Sequence, residues 1–220
     1  MKNLTKSVLL WTLLASGGAA NASDLNDVQL GKPGHAGSGC PIGSVSTTLS
    51  PDKKSLSILF DEYLVEAGPS VGKKIDRKNC QLAIPVHVPN GFSVSLMAVD
   101  YRGYHFLPRK AQAVFTAEYF FAGIRGPRFS KSFRGSMDQE YTLSNRLAVV
   151  AQTWSKCGED VNLRIATAMR VRNTDRYDDA MSTVDSIDMN AGIVYQLQYR
   201  KCNHVAEEPA DDDLWGDDWF

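Results

Sequence analysis

The 220-residue chain reads as an all-β protein: a single-domain antiparallel β-sandwich, jelly-roll or Ig-like in topology, braced by two disulfides. Three observations predict it. Short runs rich in β-branched and aromatic residues alternate apolar with polar, turn formers separate the runs, and four cysteines are spread along the chain without a Cys-x-x-Cys pair. Long amphipathic helices leave little trace, which favours two packed sheets.

Before the strands comes an export signal. Lys2 and Lys6 make a basic start, Val8 to Ala15 an apolar stretch, and Ala20-Asn21-Ala22 a small-x-small cleavage site. The apolar stretch makes about 12 Å of helix against roughly 30 Å of hydrocarbon, too little to span a bilayer. Residues 1–22 are therefore expected to direct the chain to the periplasm or the extracellular space. Residues 23–39, which contain Gly31-Lys32-Pro33-Gly34, are expected to form an extended, mobile lead-in.

The β-domain is expected over residues 40–202. Strand-like runs fall at Ser44 to Ser50, Ser55 to Phe60, Gln81 to Val88, Phe92 to Val99, Gly103 to Leu107, Ala111 to Phe121, Leu147 to Trp154, Val161 to Val171 and Ile193 to Tyr199. Ser50-Pro51-Asp52, Gly68-Pro69, Pro89-Asn90-Gly91 and Gly126-Pro127 mark turns between them. Leu64 to Ala67 reads as one helical turn, and Val161 to Val171 is open to a helical reading through Ala166, Ala168 and Met169. Pro85 removes a ladder donor inside a strong strand pattern, which places it at an edge or a bulge.

Cys40, Cys80, Cys157 and Cys202 are even in number and lack zinc-ligand spacing, so disulfides are expected in an oxidising compartment. Three connectivities are open. Loop entropy separates them by only about 1.2 kcal/mol. Sequential pairing, Cys40 with Cys80 and Cys157 with Cys202, is the expectation because it staples each half of the chain separately.

Charge is distributed unevenly. Without Lys2 and Lys6 the chain carries 22 basic and 25 acidic residues, a net charge of −3, yet seven of those acids fall after Val205. The body is thus mildly basic. Residues 203–220 form an acidic tail that also holds Leu214, Trp215, Trp219 and Phe220, a composition suited to a solubilising tail or a docking peptide.

No strong catalytic or metal-binding motif appears. Gly37-Ser38-Gly39-Cys40-Pro41-Ile42-Gly43 has the wrong glycine spacing for a dinucleotide cradle and precedes a strand, so it reads as the approach to a disulfide. His87 and His105 are the two histidines placed on strands, where a meeting across strands would make a metal or acid–base pair and half-buried packing positions are the plainer reading. Asp178-Asp179 and Asp185-Ser186-Ile187-Asp188 carry carboxylates suited to turns, to calcium or to acid–base work. Two clusters are better binding candidates. Tyr101, Arg102 and Tyr104, around Gly103, offer stacking surfaces and a guanidinium fork. Arg125, Arg128 and Arg134 belong to a strip that interleaves cations with Phe129 and Phe133. In an exported protein such a strip points to anionic glycans, lipopolysaccharide or a protein rather than nucleic acid, unless it is a charge-guarded sheet edge. The acidic tail is expected to fold back on this strip, or on Lys73-Lys74 and Arg77-Lys78, and compete with an outside ligand.

Several motifs occur in one order along the chain: Gly37-Ser38-Gly39-Cys40-Pro41, Phe60-Asp61-Glu62-Tyr63, Ala67-Gly68-Pro69, Arg77-Lys78-Asn79-Cys80, Asp100-Tyr101-Arg102-Gly103-Tyr104, Trp154-Ser155-Lys156-Cys157-Gly158, Asp185-Ser186-Ile187-Asp188 and Tyr199-Arg200-Lys201-Cys202. In these the chain resembles a family of secreted bacterial and fungal proteins classified as domain of unknown function 4360, from about Gly37 to Cys202. The resemblance implies an exported, cysteine-bridged β protein and carries no activity or cofactor. The leading expectation is a non-enzymatic binding or surface module for a glycan, cell-envelope or protein ligand, with no cofactor, metal, nucleic acid or membrane span. Two alternatives stand beside it: a cell-wall or polysaccharide hydrolase using carboxylates among Asp61, Glu62, Asp100, Asp185 and Asp188, and a docking or inhibitor protein acting through its tail.

Overall fold

The structure, a computed structural model, describes residues 25–121, 124–146, 154–185 and 192–202. The export signal, most of the Leu147 to Trp154 run, Asp188 and the acidic tail lie outside them. Thirteen strands are seen among the described residues, after a short 3₁₀ turn at Leu25–Asp27. The first sheet runs β1 (Gln29–Leu30), β6 (Ile75–His87), β11 (Val161–Asn173), β8 (Ala111–Phe121) and β9 (Ile124–Arg134), with β2 (Gly34–Ala36) also on β6. The second holds β3 (Val45–Leu49), β4 (Ser55–Phe60), β13 (Ile193–Lys201), β7 (Phe92–Leu107), β12 (Ala180–Thr183) and β5 (Leu64–Ala67), with β10 (Met137–Arg146) on β7. All pairings are antiparallel, and no helix among the described residues is long and apolar enough to cross a membrane.

Register settles the topology. β6 pairs with β11 from Val86↔Val161 to Ile75↔Arg172, and across the corner β5 pairs with β12 in the same register at Ala67↔Ala180. β4 then continues onto β13 through Ile58↔Ile193. One long antiparallel ribbon therefore folds over both sheets. A second ribbon, β7–β8 against β9–β10, folds the same way beside it. Two wrapped ribbons are the jelly-roll alternative of the two expected.

The inward parity of these strands fills one core, including Leu56, Ile58 and Phe60 of β4, Leu82, Ile84 and Val86 of β6, and Leu163, Ile165 and Met169 of β11. Each such side chain contributes about 1.5–3 kcal/mol when fully buried. Both disulfides form in the expected sequential pairing, Cys40–Cys80 and Cys157–Cys202.

Several expectations are corrected. Leu64 to Ala67 is not a helical turn but β5, because β12 offers it a ladder. Val161 to Val171 is strand: Ala166 stands at an outward position of β11 between Ile165 and the buried Thr167. Residues 25–39 are not merely a lead-in, since β1 and β2 close the edge of the first sheet and Cys40 anchors them to β6. Pro85 faces the interruption between β1 and β2, where Leu30↔Val86 and Gly34↔Ala83 leave one extra residue on the edge side. That is the bulge its missing N–H demands.

Candidate functional site

Alternation along β7 divides the first predicted cluster. Tyr101 is 0% exposed and lies in the core, stacked on Phe129 at 5.8 Å and tilted against Phe115 at 4.7 Å. Its hydroxyl is hydrogen-bonded to that of Tyr119, which in turn accepts from the Asn145 amide at 3.1 Å. Burial pushes the Tyr101 phenol well above its ordinary pKa. The ring therefore offers no face to a ligand in solvent. Arg102 and Tyr104, one position away on either side of Gly103, turn to the outer face of the second sheet, where the Tyr104 hydroxyl donates to Asp138. Gly103 is required by packing: a Cβ there would run into the Thr183 carbonyl and the Tyr141 ring.

β9 alternates in the same manner. Phe129 and Phe133 pack inward, while Arg125, Arg128 and Arg134 stand exposed on the outer face of the first sheet. The interleaving of cations and phenylalanines is that of a half-buried edge strand. The two predicted clusters consequently occupy opposite outer faces of the sandwich and do not meet.

The second cluster has company that the sequence did not place beside it. Arg164, Arg170 and Arg172 of β11 and Arg77 of β6 are all exposed on the same face. Arg77 stands directly opposite Arg170. Arg172 stands opposite Gln112, and Gln112 opposite Arg134; Arg164 stands opposite Phe120, and Phe120 opposite Arg125. Across the four strands β6, β11, β8 and β9, the outward positions hold seven arginines and one carboxylate, Glu118. Glu118 is taken by Arg125. Among the described residues no ion pair engages the other six. Like charges directly opposite on adjacent strands are unfavourable. The Arg77–Arg170 placement is therefore not explained by stability.

At one end of this face lies an open groove of about 600 Å³, lined by His35, Gln81, Ala83, Glu118, Phe120 and Arg164, with Ala166 in its floor. The small residues let a flat ligand approach the sheet, Phe120 supplies a ring, and Arg164 and Gln81 supply polar contacts. Such a mixture suits sugar rings bearing acidic groups.

The two strand histidines do not meet. His87 is exposed on the first sheet with Nδ1 2.7 Å from Asp160. His105 is 0% exposed in the core, stacked on Tyr141 at 4.2 Å, with Nδ1 2.9 Å from the Ser182 hydroxyl; burial holds its pKa down to about 4. No group of three or more metal-ligating side chains is found among the described residues.

The carboxylates divide between two places. Asp100 lines a groove on the second sheet with Met97, Ala98, Ser144, Arg146 and Gln196. Asp61 and Glu62 are exposed where β4 gives way to β5. The Val184 N–H donates to the Tyr63 carbonyl at 3.0 Å, so Asp185 follows directly on a residue held beside that same break. Several residues of the motifs that carry the resemblance hold the fold together. Tyr63 bonds Thr167 at 3.0 Å, Asn79 holds Ser38 and the Gly39 N–H, and Arg200 stacks on Trp154 at 4.3 Å.

A family model described as Domain of unknown function (DUF4360) matches residues 26–202. An uncharacterized secreted protein from the fungus Arthroderma benhamiae is 33% identical over 188 residues, covering 85% of this chain and 77% of its own length. The match to the family model spans both outer faces and stops at Cys202, short of the acidic tail.

Proposed function

The chain belongs to the DUF4360 family, and from that premise we propose that it is an exported, non-enzymatic binding module whose first sheet holds an extended anionic glycan or envelope polymer on its outer face. The observation that carries this reading is the segregation of charge, seven arginines against one carboxylate on a single face. Guanidinium forks pair bidentately with carboxylate, sulfate and phosphate groups, and a row of them engages a polymer at several points. Two disulfides and a secreted relative fit an oxidising compartment outside the cytoplasm, where acidic glycans and envelope polymers are among the polyanions such a face could meet. Affinity electrophoresis through polygalacturonate is the test. Retardation in that gel but not in neutral dextran is expected, falling with added salt and lost in the triple variant Arg164→Gln/Arg170→Gln/Arg172→Gln. Equal mobility of variant and parent would end the proposal.

One observation favours a second reading, hydrolysis by paired carboxylates. The Val184–Tyr63 hydrogen bond draws the segments bearing Asp61, Glu62 and Asp185 to one strand break. This reading requires turnover of a cell-wall polysaccharide that at least one of Asp61→Asn, Glu62→Gln and Asp185→Asn abolishes; no turnover by the parent, or full activity in all three variants, would exclude it.

A further inference from the structure

The arginine-rich end of the face is more specific than a general polyanion surface. Arg77 and Arg170 are cross-strand neighbours, and Arg172 lies two residues further along β11 on the same face. Strand geometry roots these side chains about 4.8 Å apart across the sheet and about 6.8 Å apart along it. Their surroundings are uncharged or basic: Val114 opposite Arg170, Gln112 opposite Arg172, Ile75 across from Arg172, and Lys73 and Lys74 just before β6. The nearby Asp76 is committed, accepting from the Glu66 N–H at 3.2 Å and the Lys73 ammonium at 3.5 Å. Glu118 is bound to Arg125.

Three guanidinium forks rooted side by side on one face with no carboxylate paired to them among the described residues are best matched by a group with more than one negative charge and more than two acceptor oxygens. A carboxylate has one charge and two oxygens, enough for one fork. A sulfate ester has the oxygens but a single charge. A phosphomonoester carries about −1.5 to −2 at neutral pH with three terminal oxygens. Resting on the anionic-polymer reading above, we infer that Arg77, Arg170 and Arg172 form a subsite for a sugar-borne phosphomonoester, so that the polymer held on this face is a phosphorylated glycan.

The test titrates the full chain with glucose 6-phosphate, glucose 6-sulfate, glucuronate and O-phosphoserine at pH 7.5 and constant ionic strength, following the arginine Nε–H resonances. Glucose 6-phosphate is expected to bind at least about tenfold tighter than the sulfate or the uronate, moving Arg77, Arg170 and Arg172 together. Arg77→Gln is expected to erase that preference while the protein stays folded by thermal unfolding. Equal affinity for phosphate, sulfate and uronate would overturn the inference, as would preference unchanged in Arg77→Gln. Equal binding of O-phosphoserine would overturn the glycan assignment by transferring the ligand to a phosphoprotein. Retention on polygalacturonate separates the two levels: if it persists while phosphate preference is absent, only the subsite falls, and if it too is absent, the polymer reading falls with it.

Discussion

Replacing Arg77 by Gln should make the protein more stable and a poorer binder. Arg77 and Arg170 are directly opposed on β6 and β11, both exposed, with no carboxylate paired to either among the described residues. Two unit charges about 5 Å apart in water repel by about 0.8 kcal/mol. Measured cross-strand pair effects of about 0.2–1 kcal/mol bracket the same value. For a domain of this size that is a rise in Tm of about 1–3 °C. Screening gives the control: the Debye length shrinks from about 8 Å at physiological salt to about 3 Å at 1 M, so the gain should vanish at high salt. Thermal and urea unfolding of Arg77→Gln, Arg170→Gln and the double variant at low and high salt measure the coupling, and the second substitution should add little to the first. A loss of stability in Arg77→Gln, or a gain indifferent to salt, would show that Arg77 sits in a favourable contact and would remove the reason for reading a ligand site there.

Three further outcomes follow from the interior and the disulfides. His105 is held down to about 4 from an ordinary 6.5 by burial, so the unfolded chain binds its proton first. Stability should fall as pH drops from about 6.5 to about 4, by an amount on the order of 3 kcal/mol, and His105→Gln should flatten that slope; an unaltered pH profile would refute the assignment. Gly103→Ala drives a Cβ into the Thr183 carbonyl and the Tyr141 ring. It should cost about 1–3 kcal/mol of stability, and an unchanged Tm would contradict the close approach. Cys40 and Cys80 are buried whereas Cys157 is exposed. Brief mild reduction followed by alkylation and mass spectrometry should label Cys157 and Cys202 first, and the reverse order would be inconsistent with this packing.

Much of the fold was legible because burial follows parity. Leu56, Ile58 and Phe60, or Leu82, Ile84 and Val86, announce an inward face without reference to any other strand. The polar strands β10 and β12 announced nothing: they carry few apolar side chains and owe their conformation to ladders on β7 and β5. Phe92 to Val99 and Gly103 to Leu107 read as separate runs, yet they are one strand. Had the alternation been carried through Asp100 to Arg102, Tyr101 would have been placed inside with Val99. Arg125, Arg128 and Arg134 were visible as a strip because they fall in one short segment. The larger face was not, since Arg77 meets Arg170 only through a pairing between distant segments, and β11 could not be assigned a face while a helical reading of it stood. Ala166, which encouraged that reading, is a small residue in the floor of the groove.

The most direct test of the account is to ask which outer face a ligand touches. Titration of isotope-labelled protein with polygalacturonate fragments, read at the arginine Nε–H resonances, should move Arg77, Arg125, Arg128, Arg134, Arg164, Arg170 and Arg172 while leaving Arg102 and Arg146 of the second sheet unmoved. Shifts confined to Arg102 and Arg146, or no shifts at any ligand concentration, would contradict it.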